Sequence, residues 1–286
     1  MTLAGGLVVA RFVHYLVLSI LFGGALFPLY GFAQPKTDLG EPLIWLRPLV
    51  FGAACLTLVS GVIWFGIVYA TVPGREFDVW IFRLLLATGL VILLLAKQIA
   101  GWRYQVVLFG SLVLMATLAS TGHAGSDDGP AAPIHRILDV FHLVAAGAWV
   151  GALIVFACWV ATALQRAQDS DLRILEQSLA RFSVIGTMAV VTLSMSGILS
   201  PGFLSSFRTI YGQVLLAKLG VFIAMLLLAA ANRYWLTPRL LQSLESADGS
   251  ASATRALGLS ILTETTLAVV VLALVGWLGI LTPAIR

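Results

Sequence analysis

Residues 7–32 read LVVARFVHYLVLSILFGGALFPLYGF, an apolar stretch in which Arg11 is the only residue that carries a full charge at neutral pH. A helix needs about 20 mostly apolar residues to cross the hydrocarbon core of a membrane. A strand of a membrane barrel instead alternates apolar and polar residues with a period of two. Because this stretch stays apolar throughout, it predicts a membrane-spanning helix.

The composition of the whole chain agrees with this prediction. Of its 286 residues, 60% are hydrophobic and only 10% are charged, whereas soluble domains carry about 25% charged residues. In lipid every backbone N–H and C=O needs a partner inside the protein, and a helical bundle supplies these partners. The apolar segments that fit a membrane span are residues 7–32, 43–71, 79–98, 104–121, 135–163, 182–201, 212–231 and 260–282. We therefore predict an all-α polytopic bundle of eight transmembrane helices, forming a single domain over residues 1–286.

The basic residues are distributed unevenly among the loops between these segments. The loops after the odd-numbered segments, with their margins, hold Lys36, Lys97, Arg103, Arg166, Arg173, Arg181, Arg233, Arg239 and Arg255. The loops after the even-numbered segments hold Arg75, Arg136 and Arg208. Since cytoplasmic loops carry the excess of Lys and Arg, both termini are predicted to face the periplasm. The basic residues form no run or stripe, which excludes a nucleic-acid partner and leaves membrane lipids as the surroundings.

All four histidines of the chain fall in the predicted outer half of the bundle. They are His14, His123, His135 and His142. In the fifth segment, His135, Asp139 and His142 have the i, i+4, i+7 spacing that places side chains on one helix face. Imidazole and carboxylate groups are ligands of transition metals, and histidine is also an axial ligand of haem. The structural alternative is a polar stripe that pairs with neighbouring helices.

Further polar and soft side chains lie inside the later segments. Met188 and Met195 are seven residues apart and share a helix face, and thioethers suit cuprous ions, although methionine also fills cores. Lys218 and Glu264 each need a partner inside the bundle, because an unpaired ionisable group in lipid is costly. Asn232, at the end of the seventh segment, is expected at the membrane interface.

A family resemblance covers nearly the whole chain. The matching stretches are Arg11-Phe-Val-His14-Tyr, Gly122-His123-Ala124, Asp139-Val-Phe-His142-Leu-Val-Ala-Ala-Gly-Ala-Trp149-Val-Gly151, Arg181-Phe-Ser183, Leu216-Ala-Lys218 and Asn232-Arg233. In these stretches the chain resembles the copper resistance protein D family, most specifically at His142, Trp149 and Gly151. The resemblance implies an inner-membrane protein that transfers copper from the periplasm toward the cytoplasm. It also implies a separate periplasmic copper-binding partner of the CopC type.

We expect copper uptake across the bacterial inner membrane, with copper captured at an outer histidine cluster and then passed inward along Met195 and Met188. The candidate metal ligands are His14, His123, His135, His142, Met188 and Met195. The alternative is an electron-transfer protein that binds haem b through the same histidines. A third hypothesis is a metal-sensing or docking protein without flux. The chain carries no nucleotide-binding loop, nucleophile elbow or metalloprotease motif, so no enzymatic activity is expected.

Overall fold

The structure is a computed structural model that describes residues 3–32, 45–71, 77–95, 101–121, 132–166, 169–198, 209–246 and 251–281. Its α-helices are α1 (Leu3–Tyr30), α2 (Leu46–Thr71), α3 (Asp78–Leu95), α4 (Gly101–Thr117), α5 (Ala132–Arg166), α6 (Asp169–Ile198), α7 (Ile210–Ala231), α8 (Thr237–Glu245) and α9 (Ala251–Leu278). A 3-10 turn, Leu118–Thr121, follows α4, and a π-helical segment, Asn232–Leu236, joins α7 to α8.

Eight helical segments of the described chain are long and apolar enough to cross a membrane, with α7, the π-helical segment and α8 forming one of them. Large apolar side chains cover the outside of the bundle: Leu85 is 68% exposed, and Phe109 and Leu227 are each 67% exposed. Such a surface is an interaction site or a liability in water, whereas lipid solvates it. The predicted eight-span helical bundle is therefore confirmed, and the chain is a multi-pass membrane protein.

Two helices begin more than two turns earlier than the apolar pattern predicted. α6 begins at Asp169 rather than at residue 182, and α9 begins at Ala251 rather than at residue 260. The additional turns of α6 are amphipathic, since Leu175 is fully buried and its neighbour Arg173 is exposed. Apolarity marks where lipid surrounds a helix, whereas the helix itself continues as long as one face packs on the protein.

Helix α1 lies at the centre of the bundle and packs against α2, α4, α5 and α9. Its contact with α5 is close because two glycines meet: a Cβ atom on Gly23 would lie 2.5 Å from the Cα atom of Gly151. Small residues at a crossing allow two membrane helices to approach to backbone contact. His142 and Trp149 precede Gly151 on α5, so this crossing holds their part of α5 beside α1.

Candidate functional site

The predicted polar stripe of α5 faces the interior of the bundle. His135, Asp139 and His142 are half-buried, and Trp149, two turns deeper, is only 3% exposed. On the opposite face Phe141 is 58% exposed. The helical spacing read from the sequence therefore places these four side chains toward neighbouring helices rather than toward lipid.

A serine on α6 fixes the state of the His142 ring. The Nδ1 atom of His142 lies 2.8 Å from the Oγ atom of Ser196, and the same Oγ lies 2.7 Å from the carbonyl oxygen of Thr192. A carbonyl only accepts, so the Ser196 hydroxyl donates to Thr192 and its oxygen accepts from Nδ1–H of His142. The neutral ring then carries its proton on Nδ1 and an available lone pair on Nε2. This is the form of histidine that binds metals.

His14 has the same arrangement with a serine of α2. Its Nδ1 atom lies 2.9 Å from the Oγ atom of Ser60, and the Ser60 hydroxyl donates to the carbonyl oxygen of Thr57 at 3.2 Å. The ring also packs edge-on against Trp64, with a centroid distance of 5.4 Å. By the same reasoning, neutral His14 has its lone pair on Nε2.

The two rings bond to different helices: His14 contacts α2 and His142 contacts α6. Among the described residues, no three or more His, Cys, Asp or Glu side chains come together in a group that could hold a metal ion. His123 lies outside the described residues. A copper site shared by the four histidines therefore stays a prediction.

The two candidate methionines lie on the outside of α6. Met188 is 66% exposed and Met195 is 58% exposed. Within one chain both side chains border lipid, so a copper path along Met195 and Met188 does not run through the interior of the bundle as the sequence predicted. The sequence showed that both residues share a face of α6, but it could not show which face packs on the bundle. A role for either thioether as a copper ligand stays a prediction.

A cavity of about 410 Å³ lies in the bundle between α5, α6, α7 and α9, and His142 lines it together with Tyr15 from α1. We call it the outer cavity because it lies toward the side that the sequence predicts to be periplasmic. Lys218 of α7 lines the same cavity and interacts electrostatically with Asp139 on α5. The outer cavity thus holds a histidine, a cation and a nearby carboxylate within an otherwise mostly apolar wall.

An inner cavity of about 520 Å³ is bounded by α5, α6, the α7–α8 connection and α9, and Glu264 lines it. Glu264 is 2% exposed. Its Oε1 atom accepts from Nε1–H of Trp149 at 3.2 Å, and its Oε2 atom accepts from the Nδ2 amide of Asn232 at 2.9 Å. The π-helical segment begins at Asn232, and the Asn232 side chain reaches this buried carboxylate. The position of Asn232 at the membrane interface stays a prediction.

Trp149 lies between the two cavities. Its side chain lines both the outer and the inner cavity, and its ring packs edge-on against Phe222 of α7 with a centroid distance of 5.7 Å. The indole N–H is bonded to Glu264, so the orientation of this ring depends on the inner carboxyl group. Leu226 of α7 also lines both cavities, so Trp149 and Leu226 lie between the His142 side and the Glu264 side.

Two family models match the chain: Copper resistance protein D matches residues 176–278, and Copper resistance protein D-like, N-terminal domain, matches residues 1–78. The chain is also 30% identical to the Copper resistance protein D of Pseudomonas syringae pv. tomato, over 96% of both chains. The chain belongs to the copper resistance protein D family. That residues 1–286 form a single domain stays a prediction.

Two further relatives extend the comparison. The Inner membrane protein YebZ of Escherichia coli K12 is 29% identical over 81% of this chain and 84% of its own length. The Copper transport protein CutJ of Bacillus subtilis is 32% identical over 46% of this chain and 24% of its own length. No solved structure matches the chain. Two of the three names refer to copper and none refers to haem, so the comparisons support a copper-related membrane function.

The two serines that orient the histidines, Ser60 and Ser196, were not predicted from the sequence. Serine is common in membrane helices, where its hydroxyl bonds the preceding turn, and nothing in the local pattern of either residue indicates a histidine partner. The bond between Asn232 and Glu264 was also missed, because the two residues lie on different helices. Only the ionisable character of Glu264 indicated that it needed a partner.

Proposed function

We propose that the chain takes up copper across a bacterial inner membrane, from the periplasm to the cytoplasm. The observation that carries the proposal is the pair of cavities that share Trp149, with His142 on one side and Glu264 on the other. The imidazole lone pair of His142 is a ligand of copper. Membership of the copper resistance protein D family supports copper as the ion. Transport, rather than catalysis, is the activity proposed.

Capture takes place in the outer cavity, at Nε2 of His142. The serine on α6 fixes the ring and keeps its proton on Nδ1, so no proton has to leave Nε2 before the metal binds. Lys218 opposes a cation in this cavity, and the carboxylate of Asp139 offsets that charge. Imidazole suits copper of either oxidation state better than carboxylate does, so His142 is the principal ligand. A separate periplasmic protein of the CopC type delivers the ion.

Passage inward follows the cavities rather than the exposed methionines. The ion moves past Trp149 into the inner cavity and leaves the bundle from there toward the cytoplasm. The inward direction follows from the predicted topology, in which the N-terminal ends of α1 and α5 lie on the periplasmic side.

The test is copper uptake into proteoliposomes that contain the purified protein, with cuprous copper kept reduced by ascorbate. His142→Gln removes the imidazole, and Phe141→Leu, on the exposed face of the same turn, serves as the matched control. We expect His142→Gln to abolish saturable uptake and Phe141→Leu to retain it. Uptake by the wild-type protein no faster than by empty liposomes would reject transport, and normal uptake by His142→Gln would reject the capture site.

A further inference from the structure

Glu264 is a carboxyl group in the interior of a membrane bundle with uncharged partners. The bonds recorded for its two oxygens come from the Trp149 indole and the Asn232 amide, and the group is almost completely buried. An ionised carboxylate at such a position is normally paired with a cation or takes part in a proton relay. Binding of a proton would remove the buried charge without any change of partner residues.

The Asn232 side chain can satisfy both charge states of this carboxyl group. With Glu264 ionised, the Nδ2 amide donates to Oε2, and the Oδ1 atom of Asn232 is buried without a hydrogen-bond partner in the described structure. Rotating the amide group by half a turn exchanges the positions of Oδ1 and Nδ2 and leaves the shape of the side chain nearly unchanged. Oδ1 then accepts from the protonated carboxyl group. Trp149 can only donate, so it stays bonded to Oε1 in both states.

The inner cavity gives protons a route to Glu264. Its lining includes Arg233 and Tyr234, which are exposed, so the cavity reaches the surface of the bundle. Besides Glu264, the ionisable side chains that line the inner cavity are Arg233, Tyr234 and Glu176 of α6. The lining residues from α5, α7 and α8 are uncharged. A cavity of about 520 Å³ is large enough to hold many water molecules. Water in this cavity can carry a proton to and from the carboxyl group.

We propose that Glu264 is a proton-exchange site fed from the inner cavity, with Asn232 as the amide that turns to match its charge. One proton binds the carboxylate at Oε2 to give the neutral acid, and the same proton returns to the cavity when the acid ionises. Because Trp149 bonds Glu264 and lines the outer cavity, this exchange is coupled to the occupancy of the His142 side. This coupling rests on the proposed copper transport, whereas the proton exchange itself does not.

Infrared difference spectroscopy of the purified wild-type protein tests the exchange directly. A pH jump should produce a carboxylic-acid C=O band, Glu264→Gln should lose this band, and Glu176→Gln, which removes the other carboxyl group of the same cavity, should retain it. Gln is a close mimic of the neutral acid and can bond both Trp149 and a turned Asn232, so folding should be preserved. A band that persists in Glu264→Gln, or that is absent in the wild-type protein, overturns the proposal.

Copper uptake into proteoliposomes at a series of internal pH values tests the coupling. A step that binds one proton changes the rate by up to about tenfold per pH unit; the wild-type protein and Glu176→Gln should approach this dependence, and Glu264→Gln should lose it. If Glu264→Gln keeps the wild-type dependence, the coupling is wrong even though transport stands. If the wild-type protein takes up no copper but shows the infrared band, transport is wrong and the proton-exchange site stands.

Discussion

Replacement of Ser196 by alanine should weaken copper binding although Ser196 is not itself a proposed ligand. The hydroxyl accepts from Nδ1–H of His142 at 2.8 Å and so fixes both the ring and its tautomer. A hydrogen bond of this kind contributes about 1 kcal/mol net. Loss of a residue that orients a metal ligand typically costs about 10- to 100-fold in affinity. Each factor of ten in the dissociation constant corresponds to about 1.4 kcal/mol. We therefore expect Ser196→Ala to weaken copper binding about tenfold, at the lower end of this range.

The measurement is equilibrium titration of the purified protein with cuprous copper against a competing chromophoric chelator. Ser111→Ala is the matched control, because the Ser111 hydroxyl is buried and donates to the carbonyl oxygen of Leu108 on its own helix, away from either histidine. Ser60→Ala applies the same change beside His14 and reports whether that ring binds the same ion. If Ser196→Ala binds copper as tightly as the wild-type protein while His142→Ala does not, the orientation argument is refuted.

Three further predictions concern packing, route and topology. Gly151→Ala should destabilise the bundle by about 1–3 kcal/mol in thermal unfolding, because its methyl group would overlap α1. Gly220→Ala is the control and should be neutral or stabilising, because its added Cβ atom would meet no neighbouring atom within 4 Å. Met195→Leu should leave copper uptake into proteoliposomes unchanged, since this side chain is exposed; slowed uptake would restore the methionine route. A reporter enzyme that is active only in the periplasm should be active when it is fused to either terminus. Activity of a reporter that works only in the cytoplasm would reverse the proposed direction of copper transport.

The sequence was sufficient to predict the eight spans, because lipid requires long apolar segments and these are visible without any tertiary information. It was also sufficient to predict the inward face of α5, since helical periodicity places His135, Asp139 and His142 together. The face of α6 that carries Met195 was not predictable, because apolar side chains occur on both its lipid and its protein side. The contact between Asn232 and Glu264 depends on how α7 and α9 pack, and no local pattern encodes it.

The glycine contact between α1 and α5 has a consequence for movement. Gly23 and Gly151 bring the two backbones together with no room for an added methyl group, so these helices form a rigid pair. Helices α5, α6, α7 and α9 line both cavities, whereas α1 lines only the outer cavity, through Tyr15 and Ser19. A rocking motion that opens one cavity as it closes the other would then be made by the other helices that line both cavities, α6, α7 and α9. The α1–α5 pair would be the stationary frame, with Trp149 fixed near the pivot.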